Sequence, residues 1–140
     1  MYLARRVHLA LGSLSLLAYG TSALAKPVTP EPGTVYAALF DGLQLVAAGK
    51  FDAFIDGFCS KERLCTTEQA IRSVKQFNLP ASQRLAPKCF RGADLDVTRV
   101  DGDLATDDRV KIFIQCDERG MPRPYEMVKE GGAWKFGTIY

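Results

Sequence analysis

The sequence predicts an α+β fold in which three N-terminal helices pack on a curved antiparallel sheet of about four strands, with disulfides cross-linking the domain. Three observations lead to this prediction. Apolar residues recur at helical spacing between residues 34 and 77, and they alternate as in strands after residue 94. Four cysteines are spread over both halves of the chain. Helices followed by an antiparallel meander are typical of domains that carry their helices on one side of a sheet.

The N-terminus has the three-part layout of a secretory signal peptide. Arg5 and Arg6 precede a short apolar run, and Ala23 and Ala25 form the small-x-small pattern that signal peptidase reads. The apolar run is shorter than the roughly 20 residues of a membrane span. We therefore expect a signal peptide over residues 1–25 and export to the periplasm or beyond. An uncleaved anchor is the alternative.

Removal of the signal peptide changes the charge balance. The chain has 140 residues, with 18 Lys and Arg, 16 Asp and Glu and one histidine. Arg5, Arg6 and His8 all lie in the signal peptide, so the mature protein keeps 16 charges of each sign and no histidine. This balance does not favour binding of nucleic acid or anionic membranes. Without imidazole, the commonest general base and zinc ligand is missing, and we expect neither a metal nor a cofactor.

The helical part follows a proline-rich leader. Residues 26–33 contain three prolines and predict an extended segment, so the folded domain is expected to cover residues 34–140. Thr34 is a suitable N-cap for a first helix that stops near Gly49. A short second helix follows over residues 50–58.

The third helix is expected to begin at Thr66, where Gln69 completes a capping box. Its apolar face is predicted to bury Phe77. Pro80 and Pro87 should allow at most one further helical turn between them.

The second half alternates between apolar and polar residues. Gly131 and Gly132 predict a two-residue hairpin turn between the last two strands. Phe113 stands on the strand face opposite Ile112 and Ile114, which indicates a second buried face, a sheet partner or a homodimer. The four strand segments are residues 94–100, 109–116, 124–130 and 133–140.

Two stretches carry a family resemblance. "VYAALFDGLQLVAAGKFDAFIDGF" (35–58) has an amphipathic helix ending in glycine and a Lys-Phe-Asp-Ala-Phe turn, and "MVKEGGAWKFGTI" (127–139) has a Gly-Gly hairpin leading to a Trp-Lys strand. The chain thereby resembles the NTF2-like (SnoaL-like, ketosteroid-isomerase-like) superfamily over most of residues 34–140. The resemblance implies a cone with its mouth between sheet and helices. Superfamily members include enzymes, non-catalytic binding subunits and small secreted domains.

The four cysteines allow three pairings, and sequence alone does not choose among them. A continuous helix would separate Cys59 and Cys65 by about 9 Å, beyond the roughly 7 Å reach of a disulfide, so this pair requires a loop. We favour Cys59–Cys65 with Cys89–Cys116, although Cys89 reaches Cys116 only if the chain folds back at Gly92. The spacings fit neither a zinc site nor a C-x-x-C redox pair.

Candidate binding residues fall into two groups. Aromatic residues that are expected to fill the core are also candidates for pocket lining, namely Tyr36, Phe40, Phe54, Phe58, Tyr125 and Trp134. Residues on the predicted disulfide loop, the sheet face and the "ERGMPRPY" hairpin connection are candidates for surface recognition, namely Lys61, Glu62, Arg63, Phe113, Met121 and Arg123.

The absence of histidine, metal-ligand spacing and nucleophile motifs favours a non-catalytic binding or interaction protein. Its partner would be a small apolar ligand or another protein, with inhibitor or immunity proteins as examples. The first alternative is a cone-pocket isomerase, hydratase or cyclase that uses Asp and Tyr groups. The second is a structural envelope subunit that dimerises through the sheet around Phe113.

Overall fold

We analysed a computed structural model, which describes residues 24–140. The predicted signal peptide, apart from its last two residues, therefore lies outside the described residues. The first two helices are α1 (Val35–Ala47) and α2 (Phe51–Phe58). The Thr34 hydroxyl accepts the Ala37 N–H at 3.2 Å, so Thr34 is the N-cap that the sequence predicted.

The third helical segment is longer than predicted. It comprises α3 (Glu68–Ser73), a π-helical turn (Val74–Asn78) and α4 (Leu79–Leu85), and a 3₁₀ turn (Ala86–Cys89) follows it. The expected limit of one turn after Pro80 is wrong. Pro80 lies at the start of α4, and in the π turn the Leu79 N–H bonds to the Val74 carbonyl, five residues back. The wider turn accommodates a proline that an α-helix interior would not.

The π turn also corrects the position of Phe77. Val74 and Leu79 are buried, and they are five residues apart, which matches the wider turn. Phe77, at the α-helical spacing of three from Val74, therefore points away from the core and is 64% exposed. The prediction that Phe77 is a core residue is wrong because it assumed an uninterrupted α-helix.

The sheet is antiparallel and has six strands, two more than predicted. Its order is β1-β3-β4-β5-β6, and β2 also pairs with β3. The predicted strands correspond to β3 (Asp94–Asp101), β4 (Arg109–Ile114), β5 (Arg123–Glu130) and β6 (Ala133–Phe136). The additional strands are β1 (Lys26–Val28) and β2 (Phe90–Arg91), which have three and two residues and therefore no visible alternation.

The strand register explains the second disulfide. Leu95 pairs with both Val28 and Phe90, so β1 and β2 lie on opposite sides of β3. At Val97, β1 and β4 pair with β3 from opposite sides. Strand β4 therefore lies on the same side of β3 as β2. The β2–β3 turn contains Gly92 with φ +63°, which is the fold-back that the sequence required. Cys89 and Cys116 consequently meet, and the structure contains both predicted disulfides, Cys59–Cys65 and Cys89–Cys116.

The helices cover one face of the sheet, and side chains fill the space between them. Tyr125 and Met127 of β5 and Phe136 of β6 are at most 1% exposed and face the helices. Gly42 of α1 permits the closest approach, because a Cβ there would lie 2.3 Å from Cε2 of Phe136. The interior of the described domain is thus a packed core.

We expect Gly42→Ala to destabilise the domain by about 1–3 kcal/mol, the usual cost of overpacking a core. The added methyl group would overlap the Phe136 ring, which is fully buried and has no space to move. The matched control is Gly57→Ala in α2, where a Cβ would meet nothing within 4 Å. Gly57→Ala should be neutral or stabilise by up to about 1 kcal/mol. Urea unfolding monitored by Trp134 fluorescence measures the free energy of unfolding of both variants. Equal changes in the two variants would contradict this packing.

The two disulfides should differ in their contribution to stability. The cysteines of each pair are separated by 6 and 27 residues. Chain entropy predicts losses of about 2 kcal/mol for C59A/C65A and about 3.5 kcal/mol for C89A/C116A. All four side chains are buried, so the truncation itself is comparable in the two variants. Denaturant unfolding of both variants tests the order, and a larger loss for C59A/C65A would contradict it.

Candidate functional site

A cavity of about 420 Å³ opens at one end of the sheet, between the β4–β5 connection, the end of α4 and the C-terminal residues. Its volume is within the range of about 300–1,000 Å³ that is usual for small-molecule sites. We call it the mouth cavity. Its larger apolar side chains are Leu85, Met121, Pro122, Pro124 and Tyr140, and its charged side chains are Asp117 and Arg123.

Local contacts hold the wall that the β4–β5 connection supplies. The Gln115 side-chain amide donates to the carbonyl of Gly120 at 2.8 Å and also to that of Asp117. The Gly120 N–H donates to the Asp117 carbonyl, which closes a tight turn. Cys116 lines the cavity and is tied to Cys89, four residues after Leu85. The disulfide therefore fixes two walls relative to each other.

Arg123 is the cation of the mouth cavity. It lies opposite Ile114, which is fully buried against the helices, so Arg123 is on the helix-facing side of the sheet at its rim. The side chain is half-buried. Within residues 24–140, its guanidinium forms no ion pair and no hydrogen bond.

Two tyrosines continue from the cavity into the core. The Tyr140 ring, which lines the cavity, is 6.2 Å from the ring of Tyr125, which is 1% exposed. Burial raises the pKa of Tyr125 to about 12, with Arg123 lowering it and Tyr140 raising it. Tyr125 is therefore a neutral phenol at physiological pH and cannot act there as a base.

The structure distributes the predicted pocket-lining aromatics over separate places. Phe54 and Tyr125 belong to the packed core. Phe58 and Trp134 line a second surface depression, and Phe40 lines a third, beneath the proline-rich segment. Tyr36 is half-buried on α1.

Of the predicted recognition residues, Met121 and Arg123 line the mouth cavity. Met121 is 88% exposed. Sequence reasoning did not identify Leu85 and Tyr140, which come from the end of α4 and the end of the chain. The two prolines of "ERGMPRPY" signalled a fixed loop there, but no local pattern links that loop to Leu85.

The Cys59–Cys65 loop lies against the outer face of the sheet, the side away from the helices. The Glu130 carboxylate accepts the Ser60 hydroxyl and the N–H groups of Lys61 and Glu62, the last two at 3.2 and 3.1 Å. The Ser60 N–H also donates to the Phe136 carbonyl at 2.9 Å. The loop is therefore anchored along its whole length to β5 and β6.

Two of the three charged loop side chains have partners within the domain, one in β5 and one in α2. Arg63 forms an ion pair with Glu126 of β5, and the Lys61 amine donates to the Ile55 carbonyl at 3.1 Å. Glu62 is exposed, and its carboxylate has no hydrogen bond or ion pair to the rest of residues 24–140. Of this group, Glu62 is the side chain most available to a partner.

Phe113 lies on the same outer face and is half-buried. The Arg99 guanidinium covers its ring, with Cζ 4.0 Å from the ring centroid, and Arg99 pairs with Asp101 at 2.9 Å. Within residues 24–140, a side chain of the neighbouring strand covers part of this ring, and the homodimer through this face stays a prediction.

In the described domain, two carboxylates, Asp101 and Glu126, line a small open depression of about 210 Å³ together with Arg109 and Lys111. Glu126, at 8% exposure, is the one buried carboxylate of the described domain, and it faces Arg63 and Arg109 on the outer face of the sheet. Asp41, Asp52 and Asp56 are exposed on the helices. From Leu24 to Tyr140, no group of three or more His, Cys, Asp or Glu residues has a metal-binding arrangement.

Comparisons with protein-family models, curated proteins and solved structures found no match to the chain. Among the described helices, none combines the length and the apolar character that crossing a membrane requires.

We expect Glu130→Gln to destabilise the protein by roughly 1–2 kcal/mol at neutral pH, because charge-assisted hydrogen bonds become neutral ones. Partial burial of Glu130 acts against ionisation, but the hydrogen bonds from Ser60, Glu62 and Lys61 and the charge of Lys135 outweigh it and lower the pKa. A lowered folded pKa stabilises the protein above the unfolded pKa. This contribution is lost as the pH falls through the folded value.

The difference in the free energy of unfolding between wild type and Glu130→Gln should therefore shrink as the pH falls below about 4, because the carboxyl of the unfolded chain already binds its proton there. Urea unfolding at several pH values measures it. Glu62→Gln in the same loop is the matched control and should change stability by less than about 0.5 kcal/mol. A difference that stays constant down to pH 2 would show that the charge of Glu130 is not the cause.

Proposed function

We propose that the protein is an exported, non-catalytic binding protein of NTF2-like architecture, and that the mouth cavity holds a small, largely apolar ligand. The observation that carries this proposal is the combination of an open apolar cavity at the rim of the sheet with a packed core behind it. Met121, Pro122 and Leu85 offer contact area without reactive groups. Such a lining with few polar groups is typical of ligand sites.

The distribution of ionisable groups favours binding over catalysis. A cone-pocket isomerase, hydratase or cyclase that uses Asp and Tyr groups needs a carboxylate that can take a proton inside an enclosed cavity. The buried carboxylate of Glu126 lies on the far side of the sheet and is ion-paired. Tyr125, the buried phenol beside the mouth cavity, has a pKa of about 12 and keeps its proton, so it can donate a hydrogen bond but cannot serve as the base.

The compartment follows from the disulfides. Both bonds are present and the described residues include no free cysteine, which indicates an oxidising environment. We propose that the protein reaches the periplasm or the extracellular space after cleavage behind Ala25. A disulfide that fixes the walls of the cavity suits a site that must keep its shape outside the cytoplasm.

The test uses residues 26–140 with both disulfides formed, and two probes of equal shape, 2-naphthoate and 2-naphthamide. We expect saturable ¹⁵N chemical-shift changes on Met121, Arg123 and Tyr140 with at least one probe. Leu85→Trp should fill the cavity and weaken the binding of that probe at least about tenfold, equivalent to about 1.4 kcal/mol of binding free energy.

Phe77→Ala is the matched control, because it removes an exposed aromatic ring that does not line the cavity. It should leave the dissociation constant unchanged within about twofold, the scatter of non-contacting surface changes. Absence of saturable shifts with both probes, or shifts confined to the outer face of the sheet, would overturn the proposal. Chemical conversion of either probe would favour the enzyme alternative.

A further inference from the structure

Arg123 differs from the other arginines that border cavities or strands in this domain. Arg63, Arg91, Arg99 and Arg109 each have a carboxylate within ion-pair distance. Arg123 is half-buried, lines the mouth cavity and has neither an ion-pair nor a hydrogen-bond partner among residues 24–140. A partly desolvated cation without a partner loses hydration and gains nothing in return.

The groups around Arg123 do not neutralise it. Asp117 lines the same cavity, but its carboxylate accepts the Arg119 N–H at 3.1 Å and forms no ion pair with Arg123. Tyr125 remains a neutral phenol, and the other side chains that surround the guanidinium at this rim are apolar or aromatic. The cavity therefore presents a guanidinium without an ion-pair partner at the edge of an apolar surface, with the Asp117 carboxylate elsewhere in the same lining.

We propose that the ligand of the mouth cavity is an amphipathic carboxylate, whose apolar part contacts Leu85, Met121 and Tyr140 and whose carboxylate is held by Arg123. This inference rests on the proposed function and adds the chemical class of the ligand. The planar guanidinium can donate two parallel N–H bonds to a carboxylate, a geometry that an ammonium group cannot reproduce.

Size restricts the ligand further. A cavity of about 420 Å³ accommodates a molecule with one or two rings or a medium-length aliphatic chain. The Tyr140 ring at the cavity wall suits stacking against an aromatic group. We therefore take aryl carboxylates such as 2-naphthoate as the class to test first.

The experiment compares 2-naphthoate with 2-naphthamide, which has the same rings and no charge, by ¹⁵N chemical-shift titration of the disulfide-bonded protein. We expect 2-naphthoate to bind at least about tenfold more tightly, since charge-assisted hydrogen bonds are the stronger kind. Arg123→Met should remove this preference for 2-naphthoate. It should leave the dissociation constant of 2-naphthamide unchanged within about twofold. Arg123→Lys should keep only part of it, because a lysine cannot form the bidentate pair.

Arg119→Met is the matched control, since Arg119 is an exposed arginine of the same connection and does not line the cavity. It should change neither dissociation constant by more than about twofold. Asp117→Asn should strengthen naphthoate binding, because it removes the like charge in the cavity.

The outcomes separate the two proposals. If neither probe produces saturable shifts at the cavity, the proposed function fails. If both probes bind equally well, or Arg123→Met weakens both to the same extent, the cavity binds ligands but the carboxylate inference fails. Backbone shifts of Arg123→Met outside the cavity serve as the check that the variant is folded.

Discussion

The contact between Phe136 and Gly42 is the constraint on which the rest of the structure depends. Because position 42 has no Cβ, the ring occupies the space next to α1 and brings the sheet against the helix. The same ring packs edge-on to Phe54 at 5.0 Å and to Tyr125 at 6.1 Å, while the Phe136 carbonyl accepts the Ser60 N–H. One residue thus fixes α1, α2, β5 and the start of the disulfide loop. Tyr140 continues this aromatic series from Tyr125 to the mouth cavity at the rim.

The two disulfides act on opposite faces of the sheet. Cys59–Cys65 shapes the loop that Glu130 and Glu126 hold on the outer face. Cys89–Cys116 joins the segment after α4 to the end of β4, and Cys116 itself lines the mouth cavity. The first bond therefore closes the loop that contacts β5 and β6, and the second joins two walls of the mouth cavity. A binding protein in an oxidising compartment can depend on such bonds where a small core leaves little stability to spare.

Sequence predicted those parts of the fold that local chemistry decides. The N-cap at Thr34 and the four long strands each have a residue pattern of their own, whereas the favoured disulfide pairing was one of three that the sequence left open and required a fold-back at Gly92. The strands β1 and β2 had no such pattern, because only their pairing with β3 defines them. The π turn at Val74 shifted Phe77 from the predicted core to the surface by a single extra residue in one turn. In the site, Met121 and Arg123 were predicted from an exposed loop, whereas Leu85 and Tyr140 join them only through tertiary packing.

The ion pairs of the other arginines explain why Arg123 is the residue on which the proposed ligand class rests. Glu126 is buried, yet Arg63 reaches it from the disulfide loop, and Asp96 is paired with Arg91 at 2.9 Å. Even Phe113, an apolar ring on an open strand face, is covered by Arg99. Each of these arginines thus has a carboxylate partner within the chain, and Arg123 differs from them in having none among residues 24–140. The pairing with Ile114 fixes the backbone of Arg123 at the end of β5, beside the mouth cavity. This absence of a partner and the apolar lining beside Arg123 are the two observations that support the proposed amphipathic carboxylate ligand.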